Sequence, residues 1–155
     1  MPLWIVGLLG LYYLAQTWLP PLISNFVEVP KPDISKYDAV AGNLGAAVTM
    51  ALILPFTASI PEEIIYRGFL IGRLEQIFGS SVRGSVLAVC LQALIFGLVH
   101  YQWGPGGILI TVFMGLIWGS GYILCGRNLW VVILAHSTGH FLFVYNLYTG
   151  GLTAQ

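Results

Sequence analysis

Charge is what this sequence has least of. Lys and Arg together number six, Asp and Glu another six, and charged residues make up only 8% of 155. A soluble domain carries roughly 25%. So poor a supply cannot cover a water-facing surface, so much of the surface must face lipid. The two signs balance and no basic run occurs, which leaves no electrostatic footprint for a nucleic-acid partner. Cysteine is scarce too. Cys90 and Cys125 both sit in apolar runs without the C-x-x-C spacing of a redox or zinc site, and they read as structural thiols in packed helices. There is no H-E-x-x-H run of a zinc peptidase, no internal repeat and no low-complexity tract. No basic residue precedes the first apolar run and no small-x-small site closes it, so a retained span is expected there rather than a cleaved leader.

What the chain does have is long apolar runs. Hydrophobic residues reach 57% and mean hydropathy is +0.85. A helix needs about 20 apolar residues to cross a hydrocarbon core of about 30 Å. Leu3–Ile23, Ala39–Ile60, Ile108–Leu124 and Leu129–Tyr148 meet that test, and Ser85–Val99 is a shorter uncharged run. Backbone groups in lipid must bond internally. The expected fold is therefore all-α, a polytopic transmembrane bundle of about five to six helices forming one domain over residues 1–155. Ser35 with Asp38 offers a cap for the helix that follows. Gly104–Gly107 and Gly126–Asn128 read as tight turns, and Gly115, Gly119 and Gly121 as places where helices approach closely. Glu62–Gly79 mixes charged and apolar residues. It reads either as an amphipathic helix in the interface or as an embedded helix with its charges turned toward protein.

Ionisable groups within membrane spans are costly and point to function by default. They occur here in three places: Glu62, Glu63 and Arg67; His100; and His136 with His140. On a helix Glu62 and Glu63 diverge by about 100°, so they take different roles. Glu63 and Arg67, four apart, can pair. Glu62 is then free to face a cavity, with Tyr66 one turn away. His136 and His140, also four apart, project from one face. One free carboxylate and three imidazoles suffice to activate a water and stabilise an oxyanion. The bland readings are a Ser59–Glu62 capping box, a structural Glu63–Arg67 pair, an interfacial His100, and inter-helix hydrogen bonds from His136 and His140.

At these residues the sequence resembles the CAAX-protease and bacteriocin-processing family of intramembrane glutamic endopeptidases. The family carries E-E-x-x-x-R, F-x-x-x-H and H-x-x-x-N in that order. Here they read Glu62-Glu63-x-x-x-Arg67, Phe96-x-x-x-His100 and His136-x-x-x-His140. The resemblance implies a protease core at about residues 39–148. It implies Glu62 as general base, His100 as its partner in holding the water, His136 as oxyanion donor with His140 beside it, and Arg67 as structural partner of Glu63. Position 140 holds His where the family often has Asn, and a neutral imidazole still donates one N–H. The implied protein is a multi-pass cell-membrane hydrolase that needs no cofactor. It would cleave a membrane-associated or lipidated peptide in contact with lipid.

Such chemistry requires Glu62–Gly79 to be embedded. The sequence is then nearly symmetric about the Ser80–Gly84 turn, and Glu62 meets His100 at one level. His136 would lie about 10 Å deep in its own helix, which requires a tilt or a shifted boundary to meet the others. Six segments place Lys31, Lys36, Arg83 and Arg127 on one side, cytoplasmic by the positive-inside bias, with the Glu62 and His100 ends on the other. Two further readings stay open. One is a zinc hydrolase using Glu62, His100, His136 and His140 as ligands. The other is a non-catalytic immunity or scaffold protein that binds a peptide through the same cavity.

Overall fold

The computed structural model describes residues 1–30 and 34–150. Five long helices carry the fold: α1 (Pro2–Ile23), α2 (Leu44–Phe78), α3 (Val82–Leu98), α4 (Gly104–Leu124) and α5 (Leu129–Tyr148). Four of them are long and apolar enough to cross a membrane, and α3 is a shorter apolar helix beside them. The protein is a polytopic all-helical membrane protein. Its outer surface is apolar, with Leu3, Phe56 and Val82 each more than 70% exposed, as lipid contact requires.

Among the described residues two segments of the six-segment reading are joined into one helix. Ala39–Ile60 and Glu62–Gly79 read as separate segments, because the apolar run gives way to charged residues at Glu62. Instead α2 runs unbroken for 35 residues. It does so by widening: Pro55–Ser59 and Glu63–Ile71 are π-helical, with a short α-helical turn at Ile60–Glu62 between them. In this register the Ile60 N–H bonds the Pro55 carbonyl, five residues back. Shifted registers of this kind re-satisfy backbone groups around a proline in a membrane helix, and they are frequent at functional sites. The interfacial reading of this stretch also falls, because Glu63, Arg67 and Ile71 are fully buried.

Continuity of α2 overturns the expected sidedness. Lys36 lies near its Leu44 end, whereas Arg83 and Arg127 lie near its Phe78 end, where Arg127 pairs with Glu75 at 2.7 Å; Lys31 is outside the described residues. Lys36 therefore does not share a face with Arg83 and Arg127. Continuity also moves Glu62 to mid-length, about 27 Å from Leu44 and about 24 Å from Phe78 by helix rise.

Turns and caps fix the hairpins. Gly79 adopts φ +86°, and the Ser81 side chain caps α3 by accepting from the Gly84 N–H at 3.3 Å, so the expected turn after residue 79 holds. The chain turns again at Gly126 and Arg127, φ +75° and +60°, and Asn128 caps α5. The cap of α2 falls on Asn43, which accepts from the Ala46 N–H at 3.1 Å, and not on Ser35, which begins a short 3-10 turn at Ser35–Val40. Gly104–Gly107 is not a free turn but the first turn of α4, with Pro105 at its start. Cys90 is exposed on the outside of the bundle rather than packed within it.

Three apolar clusters hold the rods together. Leu8, Met114, Trp118, Val131, Val132 and Ala135 join α1, α4 and α5. Ile71, Leu74, Ala88 and Val89 join α2 to α3. Val40, Ala47, Val144 and Leu147 join the start of α2 to the end of α5. The small residues act as expected: a Cβ on Gly115 would stand 2.8 Å from the Ala93 Cα, so α3 and α4 cross in backbone contact. Along α2, the buried residues between Ala47 and Ile71 are the polar ones Ser59, Glu63 and Arg67.

Candidate active site

The two adjacent glutamates of α2 meet opposite surroundings. Glu63 is fully buried. Its Oε1 accepts from Arg67 Nη1 at 3.1 Å and from His136 Nδ1 at 2.8 Å. Arg67 is equally buried, and its guanidinium carbon lies 4.6 Å from the centroid of the Phe96 ring on α3, a cation–π contact. The expected Glu63–Arg67 pair is thus present, and α5 is tied to it through His136.

Glu62 is half-buried and makes no hydrogen bond to any described residue. It interacts electrostatically with His136, His100, Arg67 and Glu63. The hairpin of α2 and α3 does this as anticipated: Tyr66 packs edge-on against Phe96 at 4.8 Å, which brings the Glu62 level to the end of α3, where His100 sits. The capping-box reading fails, because Ser59 lies inside a continuous helix with helical φ and ψ of −55° and −50°.

Each imidazole is held at Nδ1. His100 Nδ1 lies 2.7 Å from the Phe96 carbonyl oxygen, and its ring is flanked by Phe96 and Trp103 at 4.9 and 4.6 Å. A carbonyl only accepts, so Nδ1 carries the proton and the neutral ring offers Nε2 as an acceptor. His136 Nδ1 donates to the Glu63 carboxylate in the same way, and its ring stacks on Trp118 at 5.5 Å. A protonated His136 would donate from Nε2, with Glu63 stabilising the cation. His140 lies 4.7 Å from His136, ring to ring, and its Nδ1 is 2.8 Å from Ser59 Oγ on α2.

The structure therefore gathers Glu62, Glu63, Arg67, His100, His136 and His140 around the π-helical middle of α2. Sequence reasoning had not paired His136 with Glu63, nor His140 with Ser59. It also passed over Gln92, which is fully buried with neither amide atom hydrogen-bonded to a described residue; Arg67 Nε and Nη2 and Glu63 Oε2 are in the same condition. Gln92 carried a signal: it is the lone amide in the run Ser85–Val99. Among the described residues no three His, Cys, Asp or Glu side chains converge as a metal-ligand set.

A polytopic helical bundle with an acid–imidazole centre inside its spans defines the class as an intramembrane one. The sequence matches the type II CAAX prenyl endopeptidase Rce1-like family over residues 44–142, from the start of α2 into α5, and the chain belongs to that family. Every residue of the polar cluster lies within the matched segment. Membership supports an enzyme of the CAAX-protease type. No curated protein and no solved structure matches the chain.

Proposed function

We propose that the protein is a glutamate-dependent intramembrane endopeptidase of the cell membrane. It hydrolyses a peptide bond in a membrane-associated or lipidated peptide. The observation that carries this reading is the division between the two glutamates. Glu63 is committed to Arg67 and His136, whereas Glu62 carries no such partner and feels both His136 and His100.

In this reading Glu62 accepts a proton from a water, and His100 Nε2 accepts the water's second hydrogen bond. The water oxygen attacks the scissile carbonyl carbon, and the resulting oxyanion is met by the Nε2–H groups of a protonated His136 and of His140. Collapse breaks the C–N bond, and the proton held by Glu62 passes to the leaving amine. Fixed donors in a water-poor site act strongly on such developing charge.

The test is to incubate the purified protein in liposomes with a panel of prenylated and unmodified membrane peptides, reading new termini by mass spectrometry. Cleavage is expected with chelator present. No cleavage of any membrane peptide, or cleavage abolished by chelation, would overturn the proposal; the second result would favour zinc.

A further inference from the structure

We infer that Ser59 fixes the tautomer of His140 and so makes it a neutral donor through Nε2. The hydrogen bond of 2.8 Å between Ser59 Oγ and His140 Nδ1 can run in either direction, and burial decides which. Ser59 is wholly enclosed, and among the described residues His140 is the hydrogen-bond partner its hydroxyl has. If the ring donated from Nδ1, the serine O–H would be left buried without an acceptor, a costly arrangement. The usual alternative for such a hydroxyl is the carbonyl four residues back. Thr57, on the same helix, takes it, bonding Ile53 O at 3.2 Å. For Ser59 that carbonyl belongs to Pro55, and the Ser59 hydroxyl makes no hydrogen bond to it, being directed to His140 instead. The O–H therefore points to His140, Nδ1 accepts, and the ring proton resides on Nε2.

The consequence concerns the position where the resembled family often carries Asn. An asparagine amide donates N–H without help, whereas an unconstrained imidazole does so from Nε2 in only one of its neutral forms. Ser59 lies three residues before Glu62, on the same side of α2, and its hydroxyl is the group that selects that form. Ser59 is thus a positioning residue: it acts through His140. The role of that donor at the oxyanion rests on the endopeptidase reading; the tautomer does not.

The experiment uses the full chain in detergent micelles with isotope-labelled histidine, and imidazole nitrogen resonances are assigned to His140 by their loss in His140→Asn. Wild type is expected to show the Nε2–H form alone, Ser59→Thr to retain it, and Ser59→Ala to give a mixture or the Nδ1–H form. An Nδ1–H form in wild type, or an unchanged tautomer in Ser59→Ala, overturns the inference. With a cleaved peptide, Ser59→Ala should lower kcat roughly tenfold at constant KM, short of the ~100-fold that losing a whole oxyanion donor costs. In a His140→Asn background the same substitution should cost nothing further, and a full additional loss there would count against the assignment. The tautomer is read without substrate, so failure of the endopeptidase reading is told apart by cleavage insensitive to Glu62→Gln.

Discussion

Replacing Arg67 by Met tests the buried charge cluster that anchors α2. The substitution keeps the unbranched apolar stem of the side chain and removes its guanidinium charge. Glu63 then stays fully enclosed with His136 as its one remaining hydrogen-bond donor. Among the described residues its Oε2 already has no hydrogen-bond partner, and the side chain is fully enclosed. Removing one member of a buried ion pair costs about 3–5 kcal/mol, because the other charge is left uncompensated. At about 1.4 kcal/mol per decade, that is roughly two to four decades in the folding equilibrium. The loss of the Arg67–Phe96 contact at 4.6 Å adds to it. Unfolding in mixed micelles with rising SDS, followed by fluorescence of the five tryptophans, measures the change. The double variant Arg67→Met/Glu63→Gln removes the stranded charge and should lie closer to wild type than Arg67→Met alone. An Arg67→Met protein within about 0.5 kcal/mol of wild type, the scale of a neutral surface change, would refute the reasoning.

Gly97→Ala should destabilise the α3–α4 crossing: its Cβ would stand 2.3 Å from Val112 Cγ2 and 2.9 Å from the Ile108 carbonyl oxygen. Overpacking costs about 1–3 kcal/mol, against about 1 kcal/mol gained in helix propensity, so the same unfolding assay should show a net loss. Arg127→Ala should change stability by about 1 kcal/mol or less, because the arginine is 47% exposed although it contacts Glu75 at 2.7 Å. Glu62→Gln should unfold within about 0.5 kcal/mol of wild type, since Glu62 is half-buried and makes no hydrogen bond to a described residue.

The fold was legible where the physical rule was one of length and polarity. Four spans and the short fifth followed from apolar runs, and the hairpin after Gly79 followed from its turn residues. The division at Glu62 came from the change in polarity there, whereas the helix continues through Pro61, with bonds five residues back around Pro55. That continuity altered which ends share a side of the bundle. It also removed the difficulty in bringing His136 to the glutamates, because Glu62 and Glu63 lie in mid-helix instead of at a boundary. The residues of the polar cluster were legible because charge in an apolar run is rare. Their pairing was not. His136 meets Glu63 across 73 positions, and Ser59 meets His140 across 81. Such contacts depend on helix crossing and rotation, which small-residue patterns such as Gly115 and Gly119 bring close without orienting. Ser59 looked like a cap because its spacing to Glu62 fits one, and the continuous helix removed the terminus to be capped.

The most direct measurement is the single-turnover rate of cleavage of a vesicle-inserted peptide by Glu62→Gln beside wild type. A carboxamide keeps the shape of the side chain but cannot take a proton from water. General-base catalysis contributes typically ~100- to 10,000-fold, so the rate should fall by about that factor. A Glu62→Gln protein that cleaves within about tenfold of wild type, well short of that range, would contradict the account.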